Sequence, residues 1–187
     1  MLARILGVTL FSVLITLVAA LVLIFTQTPK EMSGEGGLDF SRTLEAGRDT
    51  PAPLQSVPMR DGYPLQVRTY GGADDVPLLV LIHGSGWHGL QFDALGAALQ
   101  GSADVIVPDL RGHGTAPGRR GDVDYIGQFE DDLADLITAV AKPGQKVIMG
   151  GHSSGGGLVV RFAGGEYGDM IDGAVLLAPF LKYNAPT

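Results

Sequence analysis

The sequence predicts an α/β fold, with a mostly parallel sheet that opens on an antiparallel hairpin and carries helices on both faces. Short apolar runs of strand length alternate with longer segments whose apolar residues recur at helical spacing. That alternation is typical of parallel sheets joined by helices. Asp61-Gly62, between two alternating segments of residues 55–70, is a hairpin signal.

The remaining elements follow in chain order. Apolar runs predict buried strands at 77–82, 105–107, 147–149 and 173–178. A helix is predicted over 91–100, with Phe92, Leu95 and Leu99 on one face. A second is predicted over 124–141, with apolar residues from Ile126 to Val140, acidic residues near its positive end and Pro143-Gly144 after it.

The most informative motif is a serine between glycines, Gly151-His152-Ser153-Ser154-Gly155, directly after the run 147–149. A sharp strand-to-helix turn would hold Ser153 in a strained backbone conformation and crowd its neighbours, and glycine on either side relieves that crowding. The pattern predicts an exposed hydroxyl that acts as a nucleophile.

A second motif, His83-Gly84-Ser85-Gly86, follows the strand predicted at 77–82. A glycine-rich turn leaves backbone N–H groups free, and such donors stabilise the negative oxygen of a tetrahedral intermediate in acyl transfer. The amides of Ser85 and Ser154 are the candidate donors. Taken alone, His83-Gly84 is better explained as a simple strand terminator.

A third motif, Asp109-Leu110-Arg111-Gly112-His113-Gly114, lies between the other two. The ordered set resembles the α/β-hydrolase superfamily over about residues 57–180, in particular serine hydrolases such as monoacylglycerol lipases, lysophospholipases and proline-type aminopeptidases. The resemblance implies that Ser153 is the nucleophile and that the Ser85 and Ser154 amides form the oxyanion hole. It gives Asp109, Arg111 and His113 structural roles, and we expect no cofactor and no metal.

The resembled family also needs an acid and a histidine that follow the serine in the chain. No histidine follows Ser153, and the last carboxylates, Glu166, Asp169 and Asp172, are expected at the opposite end of the sheet. We therefore expect the fold to be truncated after about six strands, with the acid and base in sequence that this chain lacks. His88 as a substitute base is the alternative.

The final predicted strand supports this interpretation. Its residues are apolar on both faces, as in a buried strand, so it would be an exposed edge if the sheet ended there. Either a missing C-terminal segment or a partner chain is expected to cover it.

The N-terminus carries an uncharged apolar segment, Ile5 to Thr26, long enough to span a bilayer. A signal peptide cleaved after Val18-Ala19-Ala20 is the alternative, but the apolar run continues beyond that point, which favours a retained single-pass anchor. Arg4 before the segment favours an N-terminus in the cytoplasm and a catalytic domain outside it.

The predicted organisation is an anchor at 1–26, a flexible linker at 27–55 rich in glycine and proline, and a partial hydrolase domain at 56–187. The net charge of −7 disfavours nucleic acid as a partner. The chain has no cysteine, so disulfides are excluded.

These observations predict a membrane-anchored serine hydrolase that cleaves a carboxylic ester through an acyl-enzyme. A lipid-like acyl ester is the favoured substrate. The chain alone is expected to be inactive because its base is missing. Two alternatives stay open: a base-lacking binding or scaffold module at a membrane, and an acyltransferase.

Overall fold

The computed structural model describes residues 2–26, 51–71, 74–115 and 118–182. The chain divides into two compact units, Met1–Asp39 and Phe40–Thr187. Most of the predicted linker at 27–55 lies outside the described residues, and its last residue, Gln55, already belongs to the first strand.

The first unit contains helix α1, Leu2–Thr26. Its hydroxyl side chains at Thr9, Thr16 and Thr26 donate to the carbonyl four residues earlier, so these polar groups are satisfied within the helix. Arg4–Thr26 is long enough to cross a bilayer, and an 18-residue stretch within it has a mean hydropathy of 2.9. A signal sequence has the same length and character, so retention of α1 stays a prediction.

The second unit is built on a six-stranded sheet in the order β1-β2-β4-β3-β5-β6. β1 pairs with β2 and β2 pairs with β4 in antiparallel fashion, and the other pairs are parallel, which confirms the predicted sheet. The strands are β1 Gln55–Pro58, β2 Pro64–Tyr70, β3 Leu78–Ile82, β4 Asp104–Asp109, β5 Val147–His152 and β6 Gly173–Leu177.

Helices cover both faces of the sheet, as predicted. On one face, α3 (Gln128–Val140) and α4 (Ser154–Ala163) pack through Leu133, Leu136 and Phe162 against alternate strand residues. On the other face, a 3-10 turn, Gly89–Phe92, leads into the short helix α2 (Asp93–Ala98), and Phe92 packs with strand residues of a second cluster.

Two helix predictions are wrong at their ends. Of the segment predicted as helical over 91–100, residues 91–92 belong to the 3-10 turn and only α2 is α-helical, and Leu95 is 40% exposed instead of facing the core. The helix predicted over 124–141 begins at Gln128, because Gly127 before it has a left-handed backbone with φ of 106°. Ile126 therefore precedes the helix and is 89% exposed.

β6 has a single neighbour in the described sheet, β5, and its apolar side chains are open to solvent. Val175 is 46% exposed, Leu176 42% and Leu177 38%. The predicted exposed edge is thus present. What covers it stays a prediction.

Candidate active site

The motifs that contain Ser153 and Ser85 lie side by side because β3 and β5 are parallel neighbours, with Ile82 paired to Gly151. The chain leaves β3 for β4 on one side and later reaches β5 on the other, so the loops that follow β3 and β5 diverge from a common crevice. Open α/β sheets bind ligands at such a switch point, at the carboxyl ends of their strands.

Ser153 occupies the turn between β5 and α4 with φ of 53° and ψ of −119°. A residue other than glycine in such a conformation carries strain of about 1–3 kcal/mol, which the surrounding structure must hold in place. The Ser153 amide donates to the Leu177 carbonyl at 3.0 Å. The Ser153 carbonyl accepts from the amides of Phe180 at 2.8 Å and Gly157 at 3.1 Å.

Steric crowding requires glycine at positions 151 and 155. A Cβ on Gly155 would lie less than 3.0 Å from the Ile82 carbonyl oxygen, and a Cβ on Gly151 would lie equally close to the Gly155 carbonyl oxygen. The first turn of α4 can thus touch the end of β3. The crowding that the sequence predicts around the serine is confirmed.

The direction of the Ser154 amide is fixed through its own peptide unit. That unit contains the Ser153 carbonyl, and because the described peptides are trans, the N–H points away from the carbonyl oxygen. Because two amides donate to that oxygen, the peptide plane cannot rotate, and the orientation of the Ser154 N–H is fixed with it. As the first residue of α4, Ser154 has an amide outside the helical hydrogen-bond ladder, at the positive end of the helix.

The Ser85 amide is held in the same way. Its peptide unit contains the Gly84 carbonyl, which accepts from His83 Nδ1 at 2.8 Å and from the Trp87 amide at 3.3 Å. Ser85 Oγ donates to Ser154 Oγ at 2.8 Å, so the two candidate donor residues are in contact. A cavity of about 110 Å³ opens beside them, with Ser85 and Ser154 among its lining residues.

His83 is fully buried and has a partner on each ring nitrogen. The Leu110 amide donates to Nε2 at 3.0 Å, so the proton sits on Nδ1, which donates to the Gly84 carbonyl. Burial is the main cause that lowers the pKa of His83 from 6.5 to about 4, against the opposing hydrogen bond to Gly84. His83 is therefore a neutral residue that orients the loop, a role that the sequence did not distinguish from a strand terminator.

The third motif makes the structural contacts that the resemblance implied. Asp109 is buried, pairs with Arg68 at 3.2 Å and accepts from the Gly89 amide at 2.7 Å. The Arg111 guanidinium binds both oxygens of Asp132, at 2.6 and 2.9 Å. These contacts tie the end of β4 to β2 and α3.

The other histidines do not reach the nucleophile by a hydrogen bond: among the described residues, no ring nitrogen contacts the Ser153 hydroxyl. His113 Nδ1 donates to the Arg111 carbonyl at 3.0 Å, and His152 Nδ1 meets Gln91 at 2.7 Å. His88 stacks on Trp87 at 5.8 Å between ring centroids, and burial lowers its pKa.

The last of the late carboxylates, Asp172, lies at the end of β5 opposite to the serine. Asp172 accepts from the Val147 amide at 2.8 Å, at the first residue of β5, whereas Ser153 follows the last. A larger groove of about 590 Å³ between the start of α3 and the end of α4 contains none of the candidate site residues.

Comparison with known proteins decides the family. The family described as "Serine aminopeptidase, S33" matches residues 74–187. The chain belongs to this family.

Solved α/β hydrolases superpose on this chain. Yeast monoglyceride lipase (Saccharomyces cerevisiae), solved as a soluble variant with a substrate analog, has a TM-score of 0.58 at 26% identity, over 71% of this chain and 45% of that one. An α/β hydrolase from Novosphingobium aromaticivorans gives a TM-score of 0.55 at 25% identity, over 68% of this chain and 44% of that one.

Curated relatives of this S33 chain are longer than it is. An uncharacterized protein of Mycobacterium tuberculosis is 29% identical over 73% of this chain and 38% of its own length. A monoacylglycerol lipase of Mycolicibacterium smegmatis is 33% identical over 50% of this chain and 36% of its own length. The chain thus spans well under half of these relatives.

Proposed function

We propose that this protein is a serine hydrolase that cleaves a carboxylic ester through an acyl-enzyme formed at Ser153. The observation that carries the proposal is the strained Ser153 backbone beside the Ser154 and Ser85 amides, each of which belongs to a peptide whose carbonyl is held by two donors. In the reaction, the general base takes the Ser153 hydroxyl proton as Oγ attacks the ester carbon, and the two amides stabilise the resulting oxyanion. The bond to the alcohol oxygen then breaks, and the protonated base gives its proton to the departing alcohol. Water, deprotonated by the same base, attacks the acyl-enzyme and releases the carboxylic acid, and the proton returns to Ser153 Oγ.

Preorganised amides of this kind are effective because they need no rearrangement as charge develops. Removal of one oxyanion donor raises a barrier by about 3–4 kcal/mol. Both amides are fixed before any substrate binds, which is the condition that such catalysis requires.

We propose a lipid-like acyl ester as substrate, with the enzyme acting at a membrane through α1 and its catalytic unit outside the cytoplasm. Support comes from relatives named monoacylglycerol lipase and monoglyceride lipase, and from the length and apolarity of α1. Water as the acyl acceptor distinguishes this function from acyl transfer.

The general base and its acid are proposed to come from sequence outside these 187 residues. The contacts of the histidines support this: among the described residues no ring nitrogen contacts the Ser153 hydroxyl, and His83 uses both of its ring nitrogens elsewhere. A serine nucleophile needs a base within hydrogen-bond reach, normally a histidine.

The test is labelling of the protein, expressed from its complete reading frame, with a fluorophosphonate probe. Ser153→Ala should abolish labelling. Ser154→Ala is the matched control, because it removes the neighbouring hydroxyl but keeps the backbone amide, and it should still label. The 187-residue chain alone should turn over esters more slowly than the complete protein, by a factor on the order of a million. Removal of a triad histidine causes a loss of this scale. Labelling that persists in the Ser153→Ala protein would contradict the assignment.

A scaffold that has lost its base is the second candidate, favoured by the lack of a histidine contact to Ser153 among the described residues. Inspection of the reading frame separates the two functions. Continuation into sequence with an acid and a histidine supports the hydrolase, whereas a stop codon after Thr187 supports the scaffold.

A further inference from the structure

Gln91 joins the two loops of the candidate site. It lies in the 3-10 turn that follows the His83-Gly84-Ser85 loop, and its neighbour Phe92 is buried in the core. The Gln91 side chain contacts the Gly84 amide through Oε1 at 3.0 Å and His152 Nδ1 through Nε2 at 2.7 Å. One side chain therefore bridges the loop after β3 and the residue before the nucleophile.

The donors and acceptors of this bridge fit in one arrangement. An amide N–H can only donate, so the Gln91 atom facing Gly84 must be the carbonyl oxygen. The Gln91 NH₂ group then faces His152, whose Nδ1 must accept and whose proton must sit on Nε2. The hydrogen-bond pattern thus determines the side-chain amide orientation of Gln91 and the tautomer of His152.

Close packing makes the bridge stiff. A Cβ on Gly84 would lie 3.3 Å from His152 Nδ1 and 3.4 Å from Ser153 Cβ, so the loop backbone packs directly against the turn between β5 and α4. Gln91 holds the Gly84 N–H, and His83 holds the Gly84 carbonyl. The peptide groups on both sides of the Gly84 Cα are therefore anchored, and the second of them carries the Ser85 N–H.

We infer that Gln91 is a positioning residue, which fixes the Ser85 amide relative to Ser153 by clamping Gly84 to His152. The inference rests on the proposed function. Gln91 itself touches neither the reacting carbonyl nor the nucleophile. Its effect should fall on the transition state, where a misplacement of about 1 Å can lower a rate by about a hundredfold.

The experiment compares Gln91→Leu and Gln91→Glu with the control Gln100→Leu, a glutamine exposed in the turn after α2. Leucine breaks both contacts, so kcat and the rate of Ser153 labelling in the complete protein should fall by about tenfold to a hundredfold, with KM nearly unchanged. Glutamate can accept from both Gly84 N–H and a proton on His152 Nδ1, so it should recover most of the rate. Gln100→Leu should behave as the parent.

Nitrogen-15 NMR of the His152 ring gives a readout independent of activity. Nδ1 should carry no proton in the parent and should become protonated in Gln91→Glu. A protonated Nδ1 in the parent, or a Gln91→Leu protein that labels at the parent rate, would overturn the inference alone. A parent that never labels at Ser153 would overturn the proposed function and with it the catalytic role of the clamp, whatever the His152 spectrum shows.

Discussion

At the scale of single residues, the site depends on backbone groups more than on side chains. The two candidate oxyanion amides are aimed by the carbonyls of their own peptide units, and glycines permit the contacts that bring these units together. Substitutions that add one methyl group or one charge at these positions should therefore have effects far larger than their size suggests.

Gly155→Ala should destabilise the protein by about 3 kcal/mol. Alanine would gain about 1 kcal/mol of helix propensity in α4, but its Cβ would lie less than 3.0 Å from the Ile82 carbonyl oxygen, and backbone must move to relieve the clash. Gly71→Ala, where no atom lies within 4 Å of the added Cβ, is the control and should be nearly neutral. Urea unfolding of both variants measures the difference, and equal stabilities would contradict the explanation.

His83 should make the folded state sensitive to mild acid. Its pKa is lowered to about 4 in the fold from 6.5, so between these pH values the unfolded chain binds a proton that the folded chain does not. Stability from this residue is complete above about pH 6.5 and falls as pH drops toward 4, by about 3 kcal/mol in total.

The measurement is the free energy of unfolding at about pH 7 and about pH 4.5 for the parent and for His83→Asn. The variant should be less stable at neutral pH but should lose less stability on acidification, because the titrating group is gone. An identical loss in both proteins would show that His83 does not titrate as inferred.

At the scale of elements, buried ion pairs join the end of β4 to its neighbours. The Arg111 and Asp132 side chains are 9% and 3% exposed, and Arg111 also lies over the Tyr63 ring at 4.0 Å. The pair therefore fixes α3 against the sheet beneath the site. The family resemblance implied a structural role for Arg111, although it could not name the partners.

Asp132→Leu should destabilise the fold by about 3–5 kcal/mol, because among the described residues it leaves the buried Arg111 charge with the partly exposed Asp61 as its remaining acidic partner. The double variant with Arg111→Met should recover part of this loss, since no buried charge remains. Asp122→Asn, in an exposed pair with Arg119, should change stability by less than about 1 kcal/mol. A double variant less stable than Asp132→Leu would contradict this desolvation mechanism.

At the scale of the whole molecule, the chain combines an apolar N-terminal helix with a sheet unit whose last strand has an open edge. We expect α1 to be retained, because the apolar run continues through Leu21, Val22 and Leu23 beyond the candidate cleavage site. Intact mass of the protein extracted from membranes should include residues 1–26, and alkaline carbonate should not release it. A mature protein that begins at Leu21 would show a cleaved signal peptide.

The sequence by itself determined the class of fold, the positions of the strands and the identity of the central motif. Apolar runs bounded by glycine and charge are local signals, and so is the Gly-x-Ser-x-Gly spacing. Helix ends were less well determined, because the left-handed Gly127 and the 3-10 turn at 89–92 depend on how the flanking segments pack.

Only the tertiary structure decided which groups meet across the site. Gln91 carries no motif, and its bridge from Gly84 to His152 exists because β3 and β5 are adjacent strands separated in sequence by all of β4 and α3. His83 is neutral with a hydrogen bond at each ring nitrogen, and this state likewise depends on the Leu110 amide, which follows the end of the neighbouring strand. Contacts between distant segments follow from strand order and packing, and local sequence patterns do not contain that information.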